Sequence, residues 1–423
     1  MTTVAFRPWD WGSNRPSWWQ SIMPAVFPLR CLMVVVTTVA ALTAGLAGCG
    51  GSAVPADVAE PADAFDAIDV VEPGDTADVA VPADAFDAFD VADTAELPAP
   101  PSSFLILTFN VGTTDNMDHA YDEDGYDNRL AGINAGHFGN NLAWLAARDA
   151  VRNIILEHRP DIVVFQELFF DPECDEICVE LNGTQEYDDA CDPAKGVFAC
   201  ATWGGVDESQ LTVRHALGPD YEIACAPNHN DNCIGVRKGF GSLAIMPQAT
   251  ETAGAWLGGL DGMPPPSLCS KGSRVATGVV TVNNGPQIAV VDVHTVAGNN
   301  ADCRVDQFYQ VFVDRGDGKP ATFGTNNIVL GDMNIDPFLF KDESVDFWNE
   351  HVGSDKPFHY ISSGDASGPM THPATFSRLD HVISDTMTGS CVVLGMTDGT
   401  DAPLSPTSTY FDHRPVLCTV DMP

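Results

Sequence analysis

Basic residues are scarce in this chain. Over 423 residues, 20 Lys and Arg stand against 59 Asp and Glu, a formal charge of −39. The shortage is general, since 101–423 holds 17 basic against 45 acidic residues. Such a chain offers no basic face for a polyanion, which weighs against nonspecific nucleic-acid binding, although an acidic protein can still meet phosphate through bound cations. A membrane-spanning run is also lacking: the apolar stretch from Cys31 to Ala47, after Arg30, is short and ends in small residues. No zinc-type set is complete, because Cys174-x-x-x-Cys178 finds no matching His or Cys pair. The acidic run Asp122-Glu123-Asp124-Gly125-Tyr126-Asp127 lacks the spacing and terminal Glu of a calcium-binding EF-hand loop and reads as a solvated loop.

What is present falls into three stretches. Residues 1–48 read as a targeting segment, 49–103 as a linker and 104–423 as one globular unit. The apolar stretch closes on Leu46-Ala47-Gly48-Cys49, which resembles the lipobox of bacterial lipoproteins. That resemblance implies cleavage before Cys49, lipidation of Cys49 and attachment to a membrane. Gly50 rather than Asp after Cys49 is similar to the outer-membrane sorting pattern of Gram-negative lipoproteins, so the expected location is the cell envelope, at the outer membrane or cell surface. Met23 would start a signal of ordinary length. From Asp57 to Glu96 an acidic residue recurs at every third position, broken only at Val81, and Pro-Ala-Asp-Ala-Phe-Asp-Ala occurs at 61–67 and 82–88. A period of three suits neither an amphipathic helix nor a strand, but it fits an open polyproline-like spacer with a reach of about 100 Å or more.

The ten cysteines beyond Cys31 and Cys49 form an even set in an exported chain, where disulfides are the expected use. Apolar runs predict strands at 104–109, 161–165, 240–246, 275–282, 288–293, 327–330, 379–384 and 415–420, with helices over 141–158 and 301–313. Between them, 171–240 is Cys-rich and polar and reads as an irregular, disulfide-stapled insertion.

The polar candidates share a position. Asn110, Glu167, His294 and Asp332 each stand just past an apolar strand, and strand ends of a layered α/β fold converge on one rim. Singly each has an ordinary explanation: a solvated edge for Glu167, a satisfied histidine for His294, a helix cap for Asp332. Together with Asn334, Asp380, Asp412 and His413 they make the inventory for metal-assisted attack of water on a phosphate ester. Carboxylates hold a hard cation, an amide touches a phosphate oxygen, and an Asp-supported His manages a proton.

The ordered set Phe109-Asn110-Val111, Gln166-Glu167, Val293-His294-Thr295, Gly331-Asp332-Met333-Asn334, Leu379-Asp380 and Asp412-His413-Arg414-Pro415 resembles the endonuclease/exonuclease/phosphatase superfamily, whose members include deoxyribonucleases, inositol polyphosphate phosphatases and bacterial sphingomyelinases. The resemblance spans essentially all of 104–423. It implies an α/β fold, a four-layer sandwich of two packed mixed sheets flanked by helices, with the site on one edge. By residue, it implies Glu167 as principal ligand of Mg²⁺ (Mn²⁺ or Ca²⁺ being the alternatives), with Asn110 and Asp412 near the metal or phosphate. Asp332 would orient or deprotonate the attacking water, and Asn334 would bind a nonbridging phosphate oxygen. His413, oriented by Asp380, would be base or phosphate contact, and His294 would stabilise the phosphate or protonate the leaving group. Three departures stand out: Gly112 where some members carry an acid, Phe411 where Ser is common, and His381, which reads as structural.

The motifs name the chemistry better than the substrate, which is a phosphodiester of a phospholipid, a nucleic acid or a small molecule. Cys269 and Cys303 stand where bacterial sphingomyelinases join the corresponding loops by a cysteine pair. The acidic surface and the tether also favour a lipid, and Trp256-Leu257 in a Gly-rich loop is a candidate lipid contact. A secreted endo- or exonuclease is the alternative. A noncatalytic surface-binding lipoprotein, a third reading, predicts eroded metal or proton-transfer positions, and none of Glu167, Asp332, Asn334, Asp380 and His413 is eroded. A monomer is expected.

Overall fold

The computed structural model describes residues 99–113, 125–205, 210–227, 229–244, 259–263, 269, 274–395 and 411–423. Its contacts divide the chain into Met1–Ala88 and Phe89–Pro423, and every described residue belongs to the second unit. The targeting segment, nearly all of the linker, Cys49, the Trp256-Leu257 tip and Asp122 to Asp124 lie outside the described residues.

Two mixed sheets carry the domain. The first is ordered β12 (Gly389–Val393), β13 (Val416–Asp421), β1 (Ser103–Asn110), β2 (Ile162–Gln166), β4 (His229–Arg237), β3 (Tyr221–Ala226). The second is ordered β10 (His359–Tyr360), β11 (Asp380–Ser384), β9 (Asn327–Asp332), β8 (Gln287–His294), β7 (Val275–Val282), β5 (Gly241–Ala244), with β6 (Asp261–Gly262) paired to β7. Each sheet has one parallel pair near its middle, β1 with β2 and β8 with β9, and antiparallel neighbours outside it.

Side-chain alternation explains the layers. Along β1, Phe104 and Ile106 point into the core between the sheets, while Leu107 and Phe109 point outward beneath helices. In β2, Ile162 and Val164 face inward and Val163 and Phe165 outward. A strand buried on both faces needs apolar residues at every position, hence its continuous apolar run. The outer core of the first sheet is covered by α1 (Asn128–His137) and α2 (Leu145–His158), and that of the second by α7 (Ala301–Phe312) and α8 (Glu343–His351). Helix, sheet, sheet, helix is the four-layer sandwich implied by the resemblance, and the chain has that fold. Among the described residues no helix is long and apolar enough to cross a membrane.

The stretch 171–240 is not irregular throughout. It begins with α3 (Cys174–Leu181), α4 (Glu186–Ala190) and α5 (Ala199–Thr202), stapled by Cys174–Cys200 and Cys178–Cys191. Then α6 (Thr212–Leu217) leads into β3 and β4, full members of the first sheet joined by Cys225–Cys233. Pro227 and the polar run at 229–232 hide this hairpin from a hydrophobicity reading. Cys391–Cys418 ties β12 to β13, and Cys269 pairs with Cys303. Asp127, at the end of the acidic run, is the N-cap of α1 and accepts from Leu130 N–H at 2.8 Å.

Candidate active site

Register places the polar residues. His294 stands beside Asp332 in the parallel β8–β9 pair, and Asp332 beside Asp380 in the antiparallel β9–β11 pair. Three strand ends of the second sheet thus set an imidazole and two carboxylates in one row. Asn110 ends β1 in the first sheet, and its Nδ2 donates to Asp332 Oδ2 at 3.2 Å across the gap between sheets. His413, just before β13, crosses the same gap: its Nδ1 is 2.8 Å from Asp380 Oδ2 and its Nε2 is 3.6 Å from Asp332 Oδ2.

Two glycines make this approach feasible. Gly331 has φ +137°, and a Cβ there would lie 2.0 Å from the Val293 carbonyl oxygen. Only glycine lets β9 deliver Asp332 so close to β8. At Gly112 a Cβ would lie 1.9 Å from Glu167 Oε2 and 3.2 Å from Asn110 Oδ1. The Glu167 carboxylate fills the space a side chain would need, which accounts for the absence of an acid at that position. Glu167 itself turns into the site from a left-handed backbone, φ +59°, and Asn334 does likewise at φ +47°. Left-handed backbone at a non-glycine residue is strain of the kind that functional sites hold.

Asp332 is the hub. Its Oδ1 accepts from Asn334 N–H at 2.9 Å, and its Oδ2 accepts from Asn334 Nδ2 at 3.0 Å as well as from Asn110. Asn334 Nδ2 also donates to the Thr295 carbonyl at 2.9 Å. Both amide hydrogens therefore serve protein oxygens and steady Asp332, and contact with a phosphate oxygen would require one of these bonds to be released. His294 Nε2 lies 3.4 Å from Glu167 Oε1 and 3.8 Å from Asp332 Oδ2.

The charges are crowded. Burial first, then the neighbouring Asp412, pushes the Glu167 carboxyl up to about 7. Burial likewise raises Asp332 to about 6, with His413 opposing and Asp380 adding to the rise. Burial works against a charged His413, yet Asp380 and Asp332 overcome it and hold the imidazole well above its ordinary value. A metal is tested by this donor set. Glu167, Asn110 and Asp412 offer hard oxygens, and among the described residues two groups, His372–Asp412–His413 and Asp332–Asp380–His413, hold their ligand-type atoms within 4.8 Å of one another. The residues fit a hard divalent cation.

Two site residues carry no motif signal. Arg274, immediately before β7, sets Nη1 3.2 Å from both ring nitrogens of His294. Burial lowers its pKa against the pull of Glu167 and Asp332. Counting the β7–β8 hairpin back from its turn at 283–286 would have found it, since Val275 pairs with Val293. His372 sets Nε2 3.6 Å from Asp412 Oδ2, and as a lone histidine in a loop it gave no signal. His381 is buried, with Nε2 3.3 Å from the Ile335 carbonyl, and burial lowers its pKa, in keeping with a structural role. Asp292 is fully buried between the sheets, accepts from Gln166 Nε2 at 2.8 Å and is raised well above the carboxylate range by burial.

No family model matches the sequence, and no curated protein matches it. Among solved structures, the chain is similar to a D. rerio TDP2 humanised by 14 mutations (13% identity, 76% of this chain and 100% of that one, TM-score 0.43). It is also similar to an endonuclease/exonuclease/phosphatase from Beutenbergia cavernae (13% identity, 76% and 72%, TM-score 0.40). The human Nocturnin catalytic domain with bound sulfate anion is a third (15% identity, 77% and 95%, TM-score 0.39). Likenesses this distant transfer no function.

Proposed function

We propose that this endonuclease/exonuclease/phosphatase-type domain is a metal-dependent phosphodiesterase, held outside the cytoplasm by a lipidated Cys49 and the acidic spacer. One observation carries the chemistry: Asp380, His413 and Asp332 form a buried line across the sheets, beside Glu167 and Asn110. A divalent cation held by Glu167, Asn110 and Asp412, Mg²⁺ by preference, would neutralise charge developing on the phosphate.

The protein's own groups divide the remaining work. Asp380 favours the imidazolium form of His413. A doubly protonated ring cannot accept a proton, so Nε2–H is suited to donate to a phosphate oxygen. Asp332, raised to about 6, is then the acceptor for the proton of the attacking water. His294 presents Nε2 to Glu167 and Asp332, with Arg274 Nη1 3.2 Å from both ring nitrogens. That placement suits the imidazole to contact the phosphate or the leaving oxygen. Asn110 and Asn334 keep Asp332 turned toward the water.

The reading extends to a phospholipid substrate. Support comes from the acidic chain, which disfavours polyanions, from the tether, and from the Cys269–Cys303 pair beyond β8. The test is hydrolysis by the purified full-length chain with Mg²⁺, offered sphingomyelin vesicles, DNA, inositol phosphates and bis-p-nitrophenyl phosphate. Cleavage of a choline lipid with DNA left intact is expected. DNA cleavage without lipid turnover would move the assignment to a nuclease, and no turnover on any substrate would overturn the enzymatic reading.

A further inference from the structure

His372 precedes a short loop closed by its own backbone. Thr371 and His372 N–H both donate to the Ser377 carbonyl at 3.0 Å, Ser377 N–H returns to the His372 carbonyl at 3.2 Å, and Phe376 at its tip has φ +57°. Arg414 N–H donates to the Thr371 carbonyl at 2.7 Å, which locks this loop to the segment carrying Asp412 and His413. The His372 ring is buried and meets His413 edge-on, with centroids 4.7 Å apart.

Ligand-type atoms of His372, Asp412 and His413 lie within 4.8 Å of one another, which invites a metal site with His372 as a ligand. The other ring nitrogen argues against it. Thr375 N–H donates to His372 Nδ1 at 3.3 Å, and Thr375 Oγ1 lies 2.8 Å from the same atom. A backbone N–H has no acceptor role, so Nδ1 keeps its lone pair and the proton of the neutral ring sits on Nε2. A protonated nitrogen has no pair to give a cation. What Nε2 faces is a carboxylate, Asp412 Oδ2 at 3.6 Å.

We propose that His372 is a positioning residue for the cation: its Nε2–H orients the Asp412 carboxylate, and it does not itself ligate. This rests on the metal-dependent reading above. Outer partners of this kind change metal affinity by about 10- to 100-fold when removed.

The experiment is titration of the metal-free, full-length chain with Mn²⁺, read by calorimetry or by the electron-paramagnetic resonance of free Mn²⁺. His372→Ala should weaken Mn²⁺ by about 10- to 100-fold. His372→Gln, whose amide N–H reaches the Nε2 position, should recover most of the loss. If the alanine variant does not fold, His372→Asn, whose amide stops short of that position, replaces it. Unchanged affinity in His372→Ala overturns the proposal, as does equal loss in the alanine and glutamine variants, the result expected of a ligand or of ring packing alone. In both of those cases the wild type still binds Mn²⁺, and the metal-dependent reading survives. A wild-type chain that neither binds Mn²⁺ nor cleaves any phosphodiester overturns both.

Discussion

The stapled segment that follows β2 and the active-site rim are built on opposite terms. In the segment, charged and polar groups meet partners: Lys195 lies 3.1 Å from Asp188, Trp203 donates to Asp175 at 3.0 Å, and Arg129 pairs with Asp189. Two disulfides, Cys174–Cys200 and Cys178–Cys191, then fix the short helices covalently. At the rim, carboxylates face one another, backbone at Glu167 and Asn334 is strained, and two carboxyls are held up by burial and by neighbouring carboxylates. The lesson is a division of labour: the segment pairs its charges and cross-links its helices, while the rim keeps a crowding of buried carboxylates that a bound cation would relieve.

The strongest challenge to that contrast is His413→Ala. Turnover should fall by about 10²- to 10⁴-fold, in a chain that still folds but is less stable for the loss of the buried pair with Asp380. Retained turnover would mean that the Asp380–His413 pair is scaffold. Gly112→Ala sharpens the same point at one atom, because the new Cβ displaces the Glu167 carboxylate. Misplacement of about 1 Å can cost about 10²-fold in turnover, so a comparable drop is expected, together with weaker Mn²⁺ binding. The reverse signature is expected in the stapled segment. Replacing Cys178 and Cys191 together by Ser should cost about 2–4 kcal/mol of stability, measured by denaturant midpoint, with kcat unaltered. A parallel fall in kcat would break the comparison.

The smallest effect concerns pH. Glu167 near 7 and Asp332 near 6 lie above ordinary carboxylate values. The folded metal-free chain therefore binds more protons than the unfolded chain, and the associated stability declines as pH rises from about 4, where the unfolded carboxyls ionise, to about 7, where the folded ones have done so. His413, held well above its ordinary value by Asp380 and Asp332, adds stability that is likewise lost as pH rises. Adding Mg²⁺ should raise the melting temperature by about 2 °C more at pH 8 than at pH 5.5, followed by differential scanning fluorimetry. Equal shifts at both values would show that the carboxyls are already ionised without metal.

Strands buried on both faces were legible in the sequence, because runs such as Ile162 to Phe165 are apolar at every position, short, and rich in β-branched and aromatic residues. Their ends, and so Asn110, Glu167, His294 and Asp332, came with them. Elements with little apolar signal were not legible. Helix α1 carries Gly132 and Gly136 and few apolar residues, while β12 is an edge strand with most of its residues exposed. The hairpin of β3 and β4 reads as loop in the sequence because its polar turn outweighs its apolar arms. At the site, residues belonging to a motif could be named in advance. Arg274 is reached only by counting the β7–β8 hairpin back from its turn, and His372 not at all, since its meaning depends on a loop closure that becomes visible only once the chain is folded.

One consequence of the two-sheet plan reaches beyond the rim. Asn110, Glu167 and His413 are carried by one sheet, and His294, Asp332, Asn334 and Asp380 by the other. The spacing between these halves is gauged by the side chains packed between them, such as Ile106 and Val164 against Val290 and Leu330. A close-packed interior transmits a change of one methylene, so a mutation far from any phosphate can shift one jaw of the site against the other. Selection for catalysis would then act on the shape of the interior, and the middle of the sandwich becomes as much an instrument of the chemistry as the residues at its edge.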